Sequence, residues 1–183
     1  MDYREEVLQF VPADEQERRD RESMLAFMES SPENILTRDN LAAHFTASAI
    51  ILSPRRDKTL MVFHNLYHSW SWTGGHADGD PDLLAVAERE AREETGISSL
   101  VPVSGRALSL DILPVWGHRK RGRYVSSHLH LSVAYGFVAT EEEPVRCLPE
   151  ENSGAAWLPV ARLDVYVTEP QMLPIYRKIM NRF

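Results

Sequence analysis

Three glutamates on the apolar side of one short helix constrain this chain more than any other feature of its sequence. The segment from Asp82 to Thr95 is built from strong helix formers and is followed by Gly96, where a C-cap glycine belongs. At about 100° per residue, Glu90, Glu93 and Glu94 share an arc of about 100°. Leu83, Val86 and Ala87 fall in the same sector, whereas the side expected to meet solvent carries Ala85, Glu88 and Arg92. Like charges about 5–6 Å apart repel one another. Turning them toward a core costs several kcal/mol for each unpaired charge. A solvated acidic face leaves that conflict standing. A hard divalent cation such as Mg²⁺ or Mn²⁺, which takes oxygen ligands, removes it. Directly upstream, Gly74-Gly75 lets the backbone come close to the same ion or to a phosphate.

This segment, Gly74 to Ile97, resembles the Nudix box of Nudix hydrolases, G-x5-E-x7-R-E-U-x-E-E-x-G-U with U aliphatic. Gly75, Arg89, Glu90, Glu93, Glu94, Gly96 and Ile97 match in register, and Ala91 is a loose fit at one U position. Six of these are fixed identities, for which chance agreement is roughly one in 10⁷ per start position, so the resemblance is specific. One position departs: the first glutamate of the pattern is Pro81 here, flanked by Asp80 and Asp82. In the family that glutamate generally supports the loop. The departure is therefore expected to change the loop's orientation more than to abolish chemistry. Proline suits the first turn of a helix, and Asp80 is expected to cap its N-terminus.

The resemblance implies hydrolysis of a diphosphate bond in a nucleoside diphosphate linked to X, or a similar small molecule. Mg²⁺ or Mn²⁺ would be held by Glu90, Glu93 and Glu94, joined by the Gly74 carbonyl, with Arg89 orienting a box glutamate through charge-assisted hydrogen bonds. The base that takes the proton of the attacking water would be Glu90 or Glu94, or else Glu151 on a distant loop. The rival is a catalytically weak Nudix-fold module that binds a nucleotide metabolite. Relatives are often dimers, which leaves a homodimer open with the N-terminal helix as its interface.

The rest of the chain reads as α+β, because helices and strands mix without a βαβ rhythm. Together with the resemblance this predicts a Nudix α/β/α sandwich over residues 43–183, its mixed β-sheet between the box helix and a C-terminal helix at Gln171–Asn181. Residues 1–42 read as a helical extension, with a helix from Glu15 to Met28 and a second short one after Thr37 ending near Leu41. Strands are expected at His44–Ser53, Thr59–His64, Ser69–Trp72, Leu108–Val115, Ser126–Val138 and Ala155–Leu158.

Weaker signals carry two readings each. His128 and His130 alternate with Leu129 and Leu131, so both point to one face of a strand. They suit a substrate wall, a second metal site, or simply a hydrogen-bonded pair. His76 follows the glycines and is placed to touch phosphate. The basic run from Arg119 to Arg123 is either a phosphate contact or a solvated hairpin tip. Trp72, with Trp70 and Tyr67, either stacks on a base or fills core.

Composition limits the partners. Twenty basic against 27 acidic residues give a net charge of −7, which argues against a grip on duplex nucleic acid. No apolar run approaches the roughly 20 residues that span a bilayer. The start of the chain lacks the pattern of a secretion signal, and a single cysteine, Cys147, forms no internal disulfide. Both point to a reducing cytoplasm.

Overall fold

The structure, a computed structural model, describes residues 1–120 and 122–183. In chain order it comprises α1 (Tyr3–Gln9), α2 (Glu15–Ser30), β1 (Ala43–Leu52), β2 (Lys58–His64), β3 (Ser69–Ser71), β4 (Thr73–His76) and α3 (Leu83–Thr95). There follow β5 (Val101–Pro102), β6 (Ser109–Val115), β7 (His118–Lys120), β8 (Arg123–Val125), β9 (His128–Val138) and β10 (Asn152–Pro159). A short 3₁₀ turn then leads to α4 (Leu163–Tyr166) and α5 (Met172–Met180).

Among the described residues eight strands form one mixed sheet in the order β10-β2-β1-β9-β5, with β3 on β2, β4 on β1 and β6 on β9. β1 and β9 run parallel over ten residue pairs, and the other pairings are antiparallel. All ten residues of β1 are buried, as expected of a central strand covered on both sides. Its alternation still sorts the faces. Phe45, Ala47, Ala49 and Ile51 join Val133, Tyr135 and Phe137 of β9 under the box helix α3. Ile50 turns the other way, into a second cluster with Ala134 and with Met172, Tyr176 and Ile179 of α5. The result is an α/β/α sandwich, with the chain's only buried helix-lined layers on either side of one sheet among the described residues.

The N-terminal helices share the first core. Tyr3, Val7, Met24 and Met28 lie in the same buried cluster as Leu83 and Val86 of α3. Tyr3 packs its ring edge-on against Phe45 at 5.2 Å. Its amide donates to the carbonyl of Pro81 at 2.9 Å, so α1 holds the loop that departs from the family pattern.

Two expectations need correction. The segment after Thr37 is a series of turns, not a helix. Asn40 Oδ1 accepts from the amides of Ala42 and Ala43 at 3.1 Å each, and that local bond diverts the chain into β1. The helix cap at the box is Asp82, whose carboxylate accepts from the Ala85 amide at 3.2 Å, and not Asp80. Asp80 accepts instead from the Asp82 amide at 3.0 Å, which tightens the loop ahead of the helix. At the other end Gly96 takes φ 71°, the left-handed C-cap expected of a glycine there. No described helix is long and apolar enough to cross a membrane.

Candidate active site

α3 buries Leu83, Val86, Ala87 and Ala91, and that anchoring carries its carboxylates to β4. Glu94 is 4% exposed. Both its oxygens are engaged: Oε1 accepts from the Gly74 amide at 2.8 Å and Oε2 from Asn152 Nδ2 at 2.7 Å. Burial outweighs these bonds and pushes its carboxyl up to about 7. Glu90 is also raised, first by burial and then by the charge of Glu93. Glu93 itself is exposed, at the edge of the arc. The apolar face therefore takes in two of the three glutamates, not all three.

The two glycines have different reasons. A Cβ at Gly75 would stand 2.4 Å from the Glu90 carboxyl carbon, so that carboxylate occupies the space a side chain would need. A Cβ at Gly74 would stand 2.5 Å from the Ala47 carbonyl oxygen on the neighbouring strand. One glycine admits the carboxylate and the other admits the backbone.

Arg89 lies 3.3 Å from Asp80 and 4.0 Å from Glu90. Asp80, one position before Pro81, thus supplies the carboxylate that meets the box arginine. Nearby, Arg38 and Asp78 form a two-pronged ion pair, with Arg38 Nε donating at 2.8 Å. Asp78 takes φ 47° and Gly79 φ 92°, so the loop turns sharply there. Arg38 holds the Asp78 carboxyl below its ordinary value.

Glu90, Glu94, Gly74, Gly75, Arg38 and Asp78 line a cleft of about 910 Å³ that also includes Glu151, Trp72 and the histidines. Glu151 is close enough to push both Glu90 and Glu94 upward. Trp72 is half-buried, edge-on to Tyr176 at 5.1 Å, and its amide donates to the Tyr176 hydroxyl. Trp70 packs edge-on to Phe63 on the core side, whereas Tyr67 faces the cleft. Two exposed aromatics at the cleft's wall, Trp116 and Tyr124, stand out more than either tryptophan of β3 and its neighbour. Arg119 also lines the cleft, on the hairpin of β7 and β8; Arg121 lies outside the described residues.

The sheet gathers the histidines. Parallel pairing sets His44 of β1 directly opposite His130 of β9. His128 is two residues away on the same face, and His76 of β4 is opposite Thr46, again on that face. His128 Nε2 and His130 Nε2 are 3.2 Å apart. His44, Arg38 and Trp116, which line the cleft, and Asn152, buried against Glu94, are the residues that motif reading overlooked. Of these, His44 carried a usable signal, since it opens a strand in phase with the polar Thr46 and Ser48.

The donor set at Glu90, Glu93 and Glu94 consists of carboxylate oxygens, two of them drawn into the protein without a cationic partner equal to their charge. That chemistry fits a hard divalent cation.

The family model for the NUDIX domain matches residues 43–183. Comparison with curated proteins gives no match. Among solved structures, the chain is similar to a C. elegans Ap4A hydrolase binary complex at 16% identity and a TM-score of 0.52, covering 75% of this chain and 96% of that one. It is similar to a NUDIX-family hydrolase from Clostridium perfringens at 20% identity and 0.53, covering 76% and 97%. It is also similar to the E. coli dihydroneopterin triphosphate pyrophosphohydrolase at 12% and 0.55, covering 76% and 96%. At these identities the likeness is one of fold.

Proposed function

The chain belongs to the NUDIX family, and from that premise we propose that it is a metal-dependent pyrophosphohydrolase. Its substrate is a nucleoside diphosphate linked to X, or a similar small molecule, and its cation is Mg²⁺ or Mn²⁺. The observation that carries the reading is Glu94: a carboxylate 4% exposed, fixed by two hydrogen bonds and raised to about 7 by burial. A charge kept there at such cost is explained by a cation that shares it.

Glu90, Glu93 and Glu94, with the Gly74 carbonyl, would hold that cation. When bound, it neutralises diphosphate charge and lowers the pKa of a water for in-line attack on phosphorus. The protein's own groups do the rest. Gly74 and Asn152 fix the Glu94 carboxylate and leave it little freedom to act as a base. Glu151, which lines the cleft and feels both box glutamates, takes the proton of the attacking water. Arg89, steadied by Asp80, orients Glu90. The half-buried Trp72 and the histidine face of His76, His128 and His130 form walls against the substrate.

The test is turnover of a panel of diphosphates: ADP-ribose, dinucleoside polyphosphates, NADH and nucleoside triphosphates. Chelator-sensitive cleavage of one member, with kcat reduced at least roughly 10² by Glu94→Gln, supports the reading. Silence across the panel together with ligand-induced thermal shifts would replace it with a binding module.

A further inference from the structure

The four histidines of the cleft have a property that no carboxylate chemistry uses. One ring nitrogen from each of His44, His76, His128 and His130 lies within 4.8 Å of every other. Ring centroids are 4.9 to 5.3 Å apart for five pairs of the four rings. Three strands, β1, β4 and β9, contribute them, so the convergence is a product of sheet register and not of local sequence.

We propose that this cluster is a site for a borderline transition-metal dication of the Zn²⁺, Co²⁺ or Ni²⁺ type, separate in ligand chemistry from the carboxylate centre. Imidazole nitrogen suits these ions, whereas Mg²⁺ and Mn²⁺ prefer oxygen. Three observations carry the assignment besides proximity. First, His44 is 4% exposed, and its Nε2 has no hydrogen-bond partner among the described residues. A buried ring nitrogen left in that state is costly unless something accepts its lone pair.

Second, the opposite nitrogens are already oriented. His44 Nδ1 donates to the Asn40 carbonyl at 3.0 Å, and His128 Nδ1 donates to the Ser126 carbonyl at 2.8 Å. Each ring therefore presents Nε2 unprotonated. A backbone carbonyl on the far nitrogen is the usual support of a metal-binding histidine.

Third, one ligand pair already stands at the required spacing, and the other nitrogens lie within 4.8 Å. Tetrahedral zinc bound to nitrogen at roughly 2.0–2.1 Å has ligand atoms roughly 3.3 Å apart. His128 Nε2 and His130 Nε2 already stand 3.2 Å apart. In the metal-free protein one proton lies between them, and a cation takes that place while His130 changes tautomer.

Four protein ligands close the coordination sphere, which marks a structural site. The ion ties β1, β4 and β9 together beside Gly75 and so fixes the strand that meets Glu90.

The test uses tag-free full-length protein with millimolar-order Mg²⁺ present to fill oxygen sites, and Co²⁺ as the probe. One equivalent of Co²⁺ should give the intense visible band of low-coordinate nitrogen ligation and raise Tm by roughly 5–10 °C at a hundredfold excess over Kd. His128→Gln and His130→Gln should each weaken Co²⁺ at least tenfold, while Glu90→Gln and Glu94→Gln leave the band in place. Should a histidine variant not fold, imidazole ¹⁵N shifts of the wild type with Zn²⁺ give the answer: four perturbed rings support the site and unperturbed rings overturn it. Absence of the band, its survival in both histidine variants, or its loss in Glu94→Gln also overturns it. Turnover with Mg²⁺ is a separate readout, so failure here leaves the hydrolase reading untouched, and the reverse holds.

Discussion

Asn152 donates its side-chain amide to Glu94 Oε2 at 2.7 Å, and neither residue is more than 4% exposed. The bond joins the first residue of β10 to the last turn of the box helix, 58 positions apart in the chain. It fixes which way the carboxylate faces. The other amide atom, Asn152 Oδ1, is buried without a hydrogen-bond partner among the described residues.

Asn152 should therefore act as a positioning residue. Asn152→Ala removes the donor, frees Glu94 to rotate and deepens its preference for the protonated form. Loss of such support around a metal ligand typically costs about 10–100-fold in affinity or activity. The half-saturating Mg²⁺ concentration should rise by that order, with kcat largely recovered at high Mg²⁺. Unchanged Mg²⁺ dependence would show that Glu94 is held well enough by Gly74 alone.

The two glycines of the box should fail differently. Gly75→Ala sets a methyl group 2.4 Å from the end of the Glu90 side chain, and that side chain can swing away. The fold survives, and kcat should fall by at least roughly 10² as Glu90 leaves the site. Gly74→Ala meets the Ala47 carbonyl at 2.5 Å and the Ser48 Cα at 2.9 Å, and backbone cannot swing. It should open the pairing of β1 with β4 and lower stability by about 1–3 kcal/mol, typical of overpacking. Circular dichroism melts alongside kcat separate the two, and equal melting points would refute the distinction.

Glu94 sets a pH dependence with a definite sign. Unfolded, its carboxyl titrates near 4.5; folded and without metal, burial raises it to about 7. Between those values the folded chain keeps a proton that the unfolded chain has lost. Stability is therefore full below about pH 4.5 and falls as pH rises through about 7. The whole window is worth roughly 3 kcal/mol. Glu94→Gln is neutral throughout and should lose this decline, gaining on the wild type between pH 5 and pH 8 in urea unfolding with chelator present. A difference between the two proteins that does not change with pH would show that Glu94 titrates normally.

Much of this site was legible because its signals are local. The box helix announces itself through spacing, and its C-cap glycine sits at φ 71° where the sequence put it. What escaped was set by contacts distant in the chain. Asn152 looks like one more polar loop residue after Glu150 and Glu151. Its position follows from a register shift between Asn152 and Ala155 against β2. His44 meets His130 only because β1 and β9 pair in parallel, which no short-range pattern encodes. α1 has seven residues, too few to persist alone in water, and is held by the burial of Tyr3 and Val7. Asp80 and Asp82 are equally plausible caps until the loop's turn chooses between them.

The N-terminal helices should depend on one buried charge. Glu17 of α2 is 0% exposed and accepts from Arg182 at 2.6 and 2.8 Å. Lys178 of α5 lies 3.2 Å away and also reaches Asp111 of β6. This cluster ties α2 to the C-terminal helix around the edge of the sheet. Burial opposes ionisation of Glu17, but hydrogen bonds from Arg182 and the Ala13 amide, with the charge of Lys178, prevail and hold its carboxyl below the usual value. Its stabilisation is therefore present above about pH 4.5 and lost as pH falls through the lower folded value. Glu17→Gln leaves two cations partly unpaired and should cost about 3–5 kcal/mol near pH 7, with a flatter acid limb of the unfolding curve. Glu17→Leu combined with Arg182→Met removes both partners and should recover a good part of that loss. If the double variant is no more stable than Glu17→Gln, the cluster owes its value to something other than charge pairing.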